Sequence, residues 1–189
     1  DSCAPADYAS PDVPIGPAPA VTAAIVASLG SQSPGGGRPT SAALEGTLGA
    51  AETYAAAHAD EDVLVLLITA GDPSSCDTAT ATIEGLASAS RARGIRTAVL
   101  SLGASAAFAD GLAAAGGTAR AVAPDLAANP SQAIVDGLTA ATASRCAFAI
   151  PMGAEPSSLA LRLHDGPSVE PLTRHAAATD CGTGDGFFL

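Results

Sequence analysis

The stretch Val63-Leu-Val-Leu-Leu-Ile-Thr69 constrains this chain more than any other. It is continuously apolar without alternation, the pattern of a strand covered on both faces, as in a parallel sheet beneath helices. Within a few residues it empties into Ala70-Gly-Asp-Pro-Ser-Ser-Cys76-Asp77, a loop of small, acidic and hydroxyl-bearing side chains. Ligands of open α/β sheets bind beyond the carboxyl ends of the strands, so this exit is positioned as a site.

The segments on either side alternate between helical and strand patterns. Val21, Ala24, Ile25 and Leu29 recur at helical spacing over 20–29, after an irregular Pro-, Asp- and Ala-rich covering segment at 1–19. A Gly- and Pro-containing loop runs from 30 to 39. Thr40 or Ser41 then stands where an N-cap belongs, and Glu45 favours the positive end of the helix that follows. Leu44, Leu48, Ala51 and Ala55 mark its buried face, to about His58.

Beyond the apolar strand, 77–93 reads as a helix buried through Ile83, Leu86, Ala87 and Ser90 and ended by Gly94. A second strand is expected at 96–102, and a short helix carrying Phe108, Leu112 and Ala115 stops at Gly116-Gly117. A weaker third strand is expected at 119–123, and a last helix at 131–144 with Ile134, Val135, Leu138 and Ala141. The alternation predicts an α/β fold with a mostly parallel sheet and flanking helices. After Cys146 the character changes, and 147–150 and 159–163 read as short antiparallel strands. The expected organisation is an α/β domain at 1–145 and a small β appendage at 146–189.

The apolar fraction is 48% but the aromatic fraction only 3%, so the core must be built from closely packed Ala, Val, Leu and Ile. Nineteen acidic residues oppose eight basic ones, all Arg, for a net charge of −11. That balance argues against nucleic acid, whose binding neutralises phosphates with basic side chains, and against anionic membrane surfaces. No apolar run approaches the roughly 18 residues of a membrane helix, and the chain opens Asp-Ser-Cys rather than with a basic and then apolar signal region. Its lack of an initial Met suggests a processed or partial product.

Cys3, Cys76, Cys146 and Cys181 contain no Cys-x-x-Cys pair, so structural zinc spacing is missing and disulfides in an oxidising, extracytoplasmic compartment are expected. Four cysteines allow three pairings. The order of segments favours Cys3 with Cys76 and Cys146 with Cys181.

Several catalytic patterns fail. Gly35-Gly36-Gly37 is neither preceded by a strand nor followed by Gly-Lys-Ser/Thr, so a phosphate loop is not indicated. There is no Gly-x-Ser-x-Gly elbow, and neither Ser31 nor Ser33 has a histidine near in sequence. His58 lies at a helix end, where a cation suits the dipole, and His164 and His175 lie in the appendage.

One pairing stands out: Gly-Gly-Gly-Arg-Pro-Thr40-Ser-Ala-Ala-Leu leading a helix, then Leu-Ile-Thr69-Ala70-Gly71-Asp72-Pro73. Together with Cys76-Asp77, Gly94-Ile-Arg-Thr-Ala-Val-Leu-Ser-Leu-Gly103 and Leu112-Ala-Ala-Ala-Gly-Gly117, it resembles the von Willebrand factor type A domain in its bacterial secreted form, over roughly residues 1–144. That family has Gly-Gly-Thr-Pro-Thr and Thr-Asp-Gly-Glu-Pro at the first two positions. The tail Cys181-Gly-Thr-Gly-Asp-Gly-Phe-Phe looks like the cysteine-rich extension that such proteins carry.

The resemblance implies a Rossmann-like sheet with a metal-ion-dependent adhesion site at its carboxyl edge. That site is built from an Asp-x-Ser-x-Ser limb, a Thr before a helix and an Asp after the central strand, all oxygen donors suited to Mg²⁺ or a similar hard cation. Thr40 matches the Thr limb, but Ala70 stands where the family has its Asp, and Asp72 lies two residues on. The Asp-x-Ser-x-Ser limb is absent, so the family's first strands would lie upstream of Asp1 or come from another polypeptide. In the family's order, the absent strand neighbours residues 63–69, and a strand this apolar left as an open edge invites aggregation.

The resulting expectation is a non-enzymatic, secreted or cell-surface module that binds protein partners or itself through Thr40, Ser41, Asp72, Ser74 and Ser75. Its adhesion site is degenerate and no cofactor is expected, with weak Mg²⁺ or Ca²⁺ binding through Thr40 only where an upstream segment supplies ligands. The alternatives are a metal-dependent adhesion domain completed in that way, a subunit of an extracellular fibre or surface layer, and an extracellular serine hydrolase.

Overall fold

The apolar run folds as a strand, β1 (Leu64–Thr69), paired in parallel with β2 (Arg96–Ser101) in the register Leu64 to Arg96 through Thr69 to Ser101. The computed structural model describes residues 2–33 and 35–142, and beyond them the backbone of 162–165, 168–171, 173–174 and 186–187. The chain divides into two compact units, Asp1–Thr142 and Ala143–Leu189. Among the described residues no helix is long and apolar enough to cross a membrane.

Among the described residues five helices accompany the sheet: α1 (Ala18–Ser31), α2 (Thr40–Ala57), α3 (Thr80–Arg91), α4 (Ala106–Ala115) and α5 (Pro130–Thr142). The first unit is thus mixed α/β with helices flanking a small parallel sheet. The expected third strand is reduced to one parallel bridge between Leu100 and Val122. The segment Ala119-Arg-Ala-Val-Ala123 has Val122 as its one sizeable apolar side chain, which supplies little apolar area to hold a longer strand in place.

Period-two alternation sorts the strand residues between two faces. Val65 and Leu67 with Val99 meet α2, α3 and α4 through Leu44, Leu48, Ile83, Ala87, Phe108 and Leu112. On the other face Leu100 meets α5, approaching to 2.8 Å the point where Gly137 would carry a Cβ. That helix covers the second face only in part, because Ile68 of β1 is 50% exposed. Full cover of β1 on both faces, expected from its sequence, is therefore not reached among the described residues.

Helix ends follow local chemistry. Gly94 takes φ +93°, its N–H bonds Arg91 O at 2.9 Å and Ile95 N–H bonds Ser90 O at 3.1 Å. These bonds satisfy the last carbonyls of α3 in a Schellman motif, and Gly117 closes α4 in the same way. Helix α3 begins three residues later than expected because the Asp77 carboxylate accepts the Ala79 N–H at 2.8 Å, making a local turn that competes with the helix. Helix α2 begins at Thr40 with Pro39 at the cap and no side-chain capping bond, so neither Thr40 nor Ser41 is an N-cap.

Two other expectations are corrected. The apolar face proposed for α1 is not buried: no residue of that helix is, and Leu29 is 70% exposed. Val135 of α5 is 54% exposed, because α5 meets the sheet through Gly137 instead, and Ala141 is the buried hydrophobic residue of that helix.

A short 3₁₀ turn, Pro5–Tyr8, packs on α2 where Gly46 leaves no room for a side chain, since a Cβ there would lie 2.1 Å from Pro5 O. In the second unit β3 (Arg162–Asp165) pairs antiparallel with β4 (Ser168–Pro171), and β5 (Thr173–Arg174) pairs parallel with β6 (Gly186–Phe187). The strand expected at 147–150 and the pair Cys146 and Cys181 lie outside the described residues.

Burial separates two leucine truncations. Leu112→Ala, at a fully buried position, lowers unfolding free energy by about 2–5 kcal/mol. Leu29→Ala stays within about 0.5 kcal/mol. Paired denaturant titrations check this contrast.

Candidate functional site

Three loops meet at the carboxyl ends of β1 and β2. Strand β1 exits through Thr69, whose hydroxyl donates to Gly71 O at 2.7 Å and whose carbonyl accepts Leu102 N–H at 2.7 Å. Asp72 then reaches across: its Oδ1 accepts the backbone N–H of Ser105 at 2.7 Å. Ser105 is in turn the N-cap of α4, its hydroxyl accepting Phe108 N–H at 3.3 Å.

The loop before α2 is tied to the same segment. Arg38 N–H donates to Ser74 Oγ at 3.0 Å, Ser74 N–H donates to Arg38 O at 3.2 Å, and Arg38 Nε donates to Asp72 O at 2.6 Å. The guanidinium lies directly over Gly71, where an added Cβ would sit 2.9 Å from Cζ. Arg38 is the one basic side chain in 37–39, 70–77 and 102–105, so a fixed positive charge stands on an otherwise neutral or acidic rim.

Cys76 adopts φ +62°, a left-handed conformation that a non-glycine residue takes only when its surroundings impose it. Its disulfide to Cys3, with Cα atoms 5.4 Å apart, supplies that constraint and pins the covering segment to the rim. The Tyr8 hydroxyl donates to Ser2 O at 2.8 Å and holds that segment closed on itself.

The residues expected to form the binding face separate by burial. Asp72 and Ser74 are exposed and Ser75 is half-buried, with its Oγ lacking a hydrogen-bond partner among the described residues. Thr40 and Ser41 are 6% exposed, so a docking protein does not reach them. Their burial follows from being the first inward turn of α2, which sequence spacing alone does not reveal. Arg38 and Ser105 were not among the expected residues. The one sequence signal for Arg38 is that Gly-Gly-Arg-Pro-Thr40 carries an Arg where the resembled motif Gly-Gly-Thr-Pro-Thr has a Thr.

These residues do not fit a hard dication. Ala70 offers a methyl group, the Asp72 carboxylate is engaged by an N–H donor, Thr40 is buried and Arg38 places a guanidinium at the rim. Among the described residues no three His, Cys, Asp or Glu side chains converge as a metal site. A serine–histidine pair is not assembled from these loops either. His58 follows α2 and precedes β1, stacked on Tyr54 at 4.0 Å, whereas Ser74 and Ser75 follow the other end of a strand roughly 20 Å long.

Outside the rim, Glu52 bonds Arg93, which holds its carboxyl below the usual range against the opposing effect of burial. At the amino end of β1 the Tyr54 hydroxyl donates to Glu61 Oε2 at 2.8 Å, and this bond raises the phenol above its ordinary value. No family model, curated protein or solved structure matches the chain.

Reducing the Cys3–Cys76 bond, or replacing both residues by Ser, lowers stability by about 2–4 kcal/mol, read from denaturant midpoints with and without reductant. A raised phenol pKa also fixes a sign: the Tyr54–Glu61 contribution is complete below the unfolded phenol value and is lost as pH rises through the folded one. In a Tyr8→Phe background, tyrosinate absorbance appears at higher pH than for a free phenol, and Glu61→Gln moves it back down.

Proposed function

We propose that this chain is a non-enzymatic, extracellular protein-recognition module of the von Willebrand type A class, Rossmann-like in its α/β part, whose adhesion site has exchanged its metal for an arginine. The observation that carries this reading is Arg38, held across Gly71 by its bond to Asp72 O at the point where the three carboxyl-edge loops meet.

In a metal-dependent site the cation supplies the positive charge that receives a partner's carboxylate. Here a guanidinium stands at the rim, with N–H groups in a fork that matches carboxylate geometry. Asp72, bonded to Ser105, and Ser74, bonded to the Arg38 backbone, hold the loop in shape, so the rim is organised before a partner arrives. Preorganisation of this kind reduces the ordering cost of association.

The Cys3–Cys76 disulfide supports an extracytoplasmic setting, because such bonds persist in oxidising compartments. The net charge of −11 restricts the partner to proteins that present a local acidic group to Arg38 while avoiding an extended anionic surface.

Two measurements check the reading. Calorimetry and thermal melts with Mg²⁺, Mn²⁺ and Ca²⁺ give neither heat nor stabilisation, whereas a saturable heat would restore a metal-dependent site. For a protein partner retained by the immobilised chain, Arg38→Glu weakens binding by roughly tenfold or more, in the range of a charged interfacial hydrogen bond, and Leu29→Ala does not. Equal retention by both variants would place the contact elsewhere.

A further inference from the structure

The loop between β1 and α3, residues 70–79, makes no backbone–backbone hydrogen bond within itself. Its shape depends on ties to other elements. Asp72 Oδ1 accepts Ser105 N–H, Ser74 exchanges two bonds with the Arg38 backbone, and Asp72 O accepts Arg38 Nε–H. Arg38, Asp72, Ser74 and Ser105 are all exposed, so water competes for these bonds and each contributes little alone. The remaining tie is covalent, Cys76 to Cys3.

Two unfavourable features sit side by side at that tie. Cys76 holds φ +62°, where an L residue brings its Cβ close to a carbonyl oxygen, and it is the one non-glycine residue at positive φ among the described residues. The neighbouring Ser75 has a buried Oγ without a hydrogen-bond partner among the described residues, so its hydroxyl is cut off from water with no bond in return. Both persist because the bond holds Cys76 from outside the loop. The far end of that bond is itself seated: Pro5 O approaches Gly46 closely, and Tyr8, Ala9, Pro11 and Ile15 of the same covering segment line a groove of about 760 Å³ beside α2 and the amino half of β1.

We propose that the Cys3–Cys76 bond is a redox gate on the Arg38 rim. The oxidised chain presents Arg38 in a fixed position, and the reduced chain does not. The gate rests on the reading of that rim as the recognition surface and adds its regulation.

The chemistry is thiol–disulfide exchange with a dithiol reductant. Cys3 is exposed and Cys76 half-buried, so a thiolate of the reductant attacks the Cys3 sulfur and Cys76 leaves as a thiolate. The second thiol of the reductant then displaces Cys3 from the mixed disulfide. The reductant ends as a disulfide and the protein with two thiols, two electrons and two protons having passed to it.

Once the bond is open, Cys76 returns to negative φ and Ser75 turns its hydroxyl to water. Ser74, two residues from Cys76, moves with them, and its two bonds to the Arg38 backbone are lost. Arg38 Nε then parts from Asp72 O, and the guanidinium moves freely on its own side chain. The positive charge remains, but the geometry that organises the rim before a partner arrives is gone. Thiols stay reduced inside cells and disulfides persist outside, so the chain gains its rim on reaching an oxidising compartment.

The test uses the isotope-labelled 189-residue chain as oxidised wild type, as wild type in a dithiol, and as Cys3→Ser/Cys76→Ala, with Cys146 and Cys181 retained throughout. Backbone order parameters are read at Ser74, and side-chain order at Arg38 Nε–H. Thr97, whose N–H bonds Gly116 O at 2.9 Å away from the rim, is the control. In the oxidised chain all three lie near the rigid value of about 0.85. Loss of the bond, by dithiol or by substitution, takes Ser74 and Arg38 Nε below about 0.6 and leaves Thr97 unchanged, and reoxidation of the wild type restores both.

Unchanged order at Ser74 and Arg38 in the double variant overturns the proposal. So does a chain that loses order at Thr97 as well or unfolds by circular dichroism, since the bond is then a staple for the whole unit. Loss of rim order in the double variant but not in a wild type shown by mass to be reduced at Cys3 and Cys76 overturns the redox step. These measurements involve no partner. If Arg38→Glu leaves partner retention unchanged, the recognition role fails and the gate on rim order stands; if rim order ignores the bond, the gate fails and the recognition role stands.

Discussion

The parallel pairing of β1 with β2 is the contact on which the rest of the structure depends. Parallel strands cannot be joined by a tight turn and require a crossover, here the segment carrying α3, and that crossover brings the two carboxyl ends to one side. The rim follows directly. The loops after β1 and β2 emerge together, close enough for Asp72 to accept Ser105 N–H, and the loop before α2 joins them through Arg38 and Ser74. The core follows as well, because the Val65, Leu67 and Val99 face is the surface against which α2, α3 and α4 bury their apolar stripes.

Most of this scaffold was legible in the sequence, for reasons specific to each element. Leu44, Leu48 and Ala51 recur at helical spacing and are buried together because one side of α2 meets the sheet. Ile83, Ala87 and Ser90 do the same on α3, where Ser90 Oγ donates to Glu52 Oε1 at 3.0 Å and so satisfies a buried hydroxyl. Gly94 ends its helix by a backbone conformation that few other residues adopt. In each of these places local chemistry and tertiary packing agree.

The sequence was less informative where one residue type serves two environments. Val21, Ile25 and Leu29 have the spacing of a buried face, yet α1 buries nothing, because periodicity records what a helix can cover and not whether a partner is present. Thr40 and Ser41 have the composition of an exposed rim and are interior, since the turn that starts α2 faces inward. The groove beside β1 was also hidden: Ile15, Ala50, Tyr54 and Val63 are far apart in sequence and meet only after the covering segment closes on α2.

The rim and the groove are joined through the covering segment. Cys76 lies in the loop that carries Asp72 and Ser74, and its disulfide holds Cys3, from which the chain runs through the Pro5–Tyr8 turn to Ile15 on the groove wall. The turn itself is seated by the close approach of Pro5 O to Gly46, so the segment is fixed at the rim by a covalent bond and along α2 by packing. Strand β1 contributes to both places, its amino half flooring the groove and its carboxyl end opening the rim.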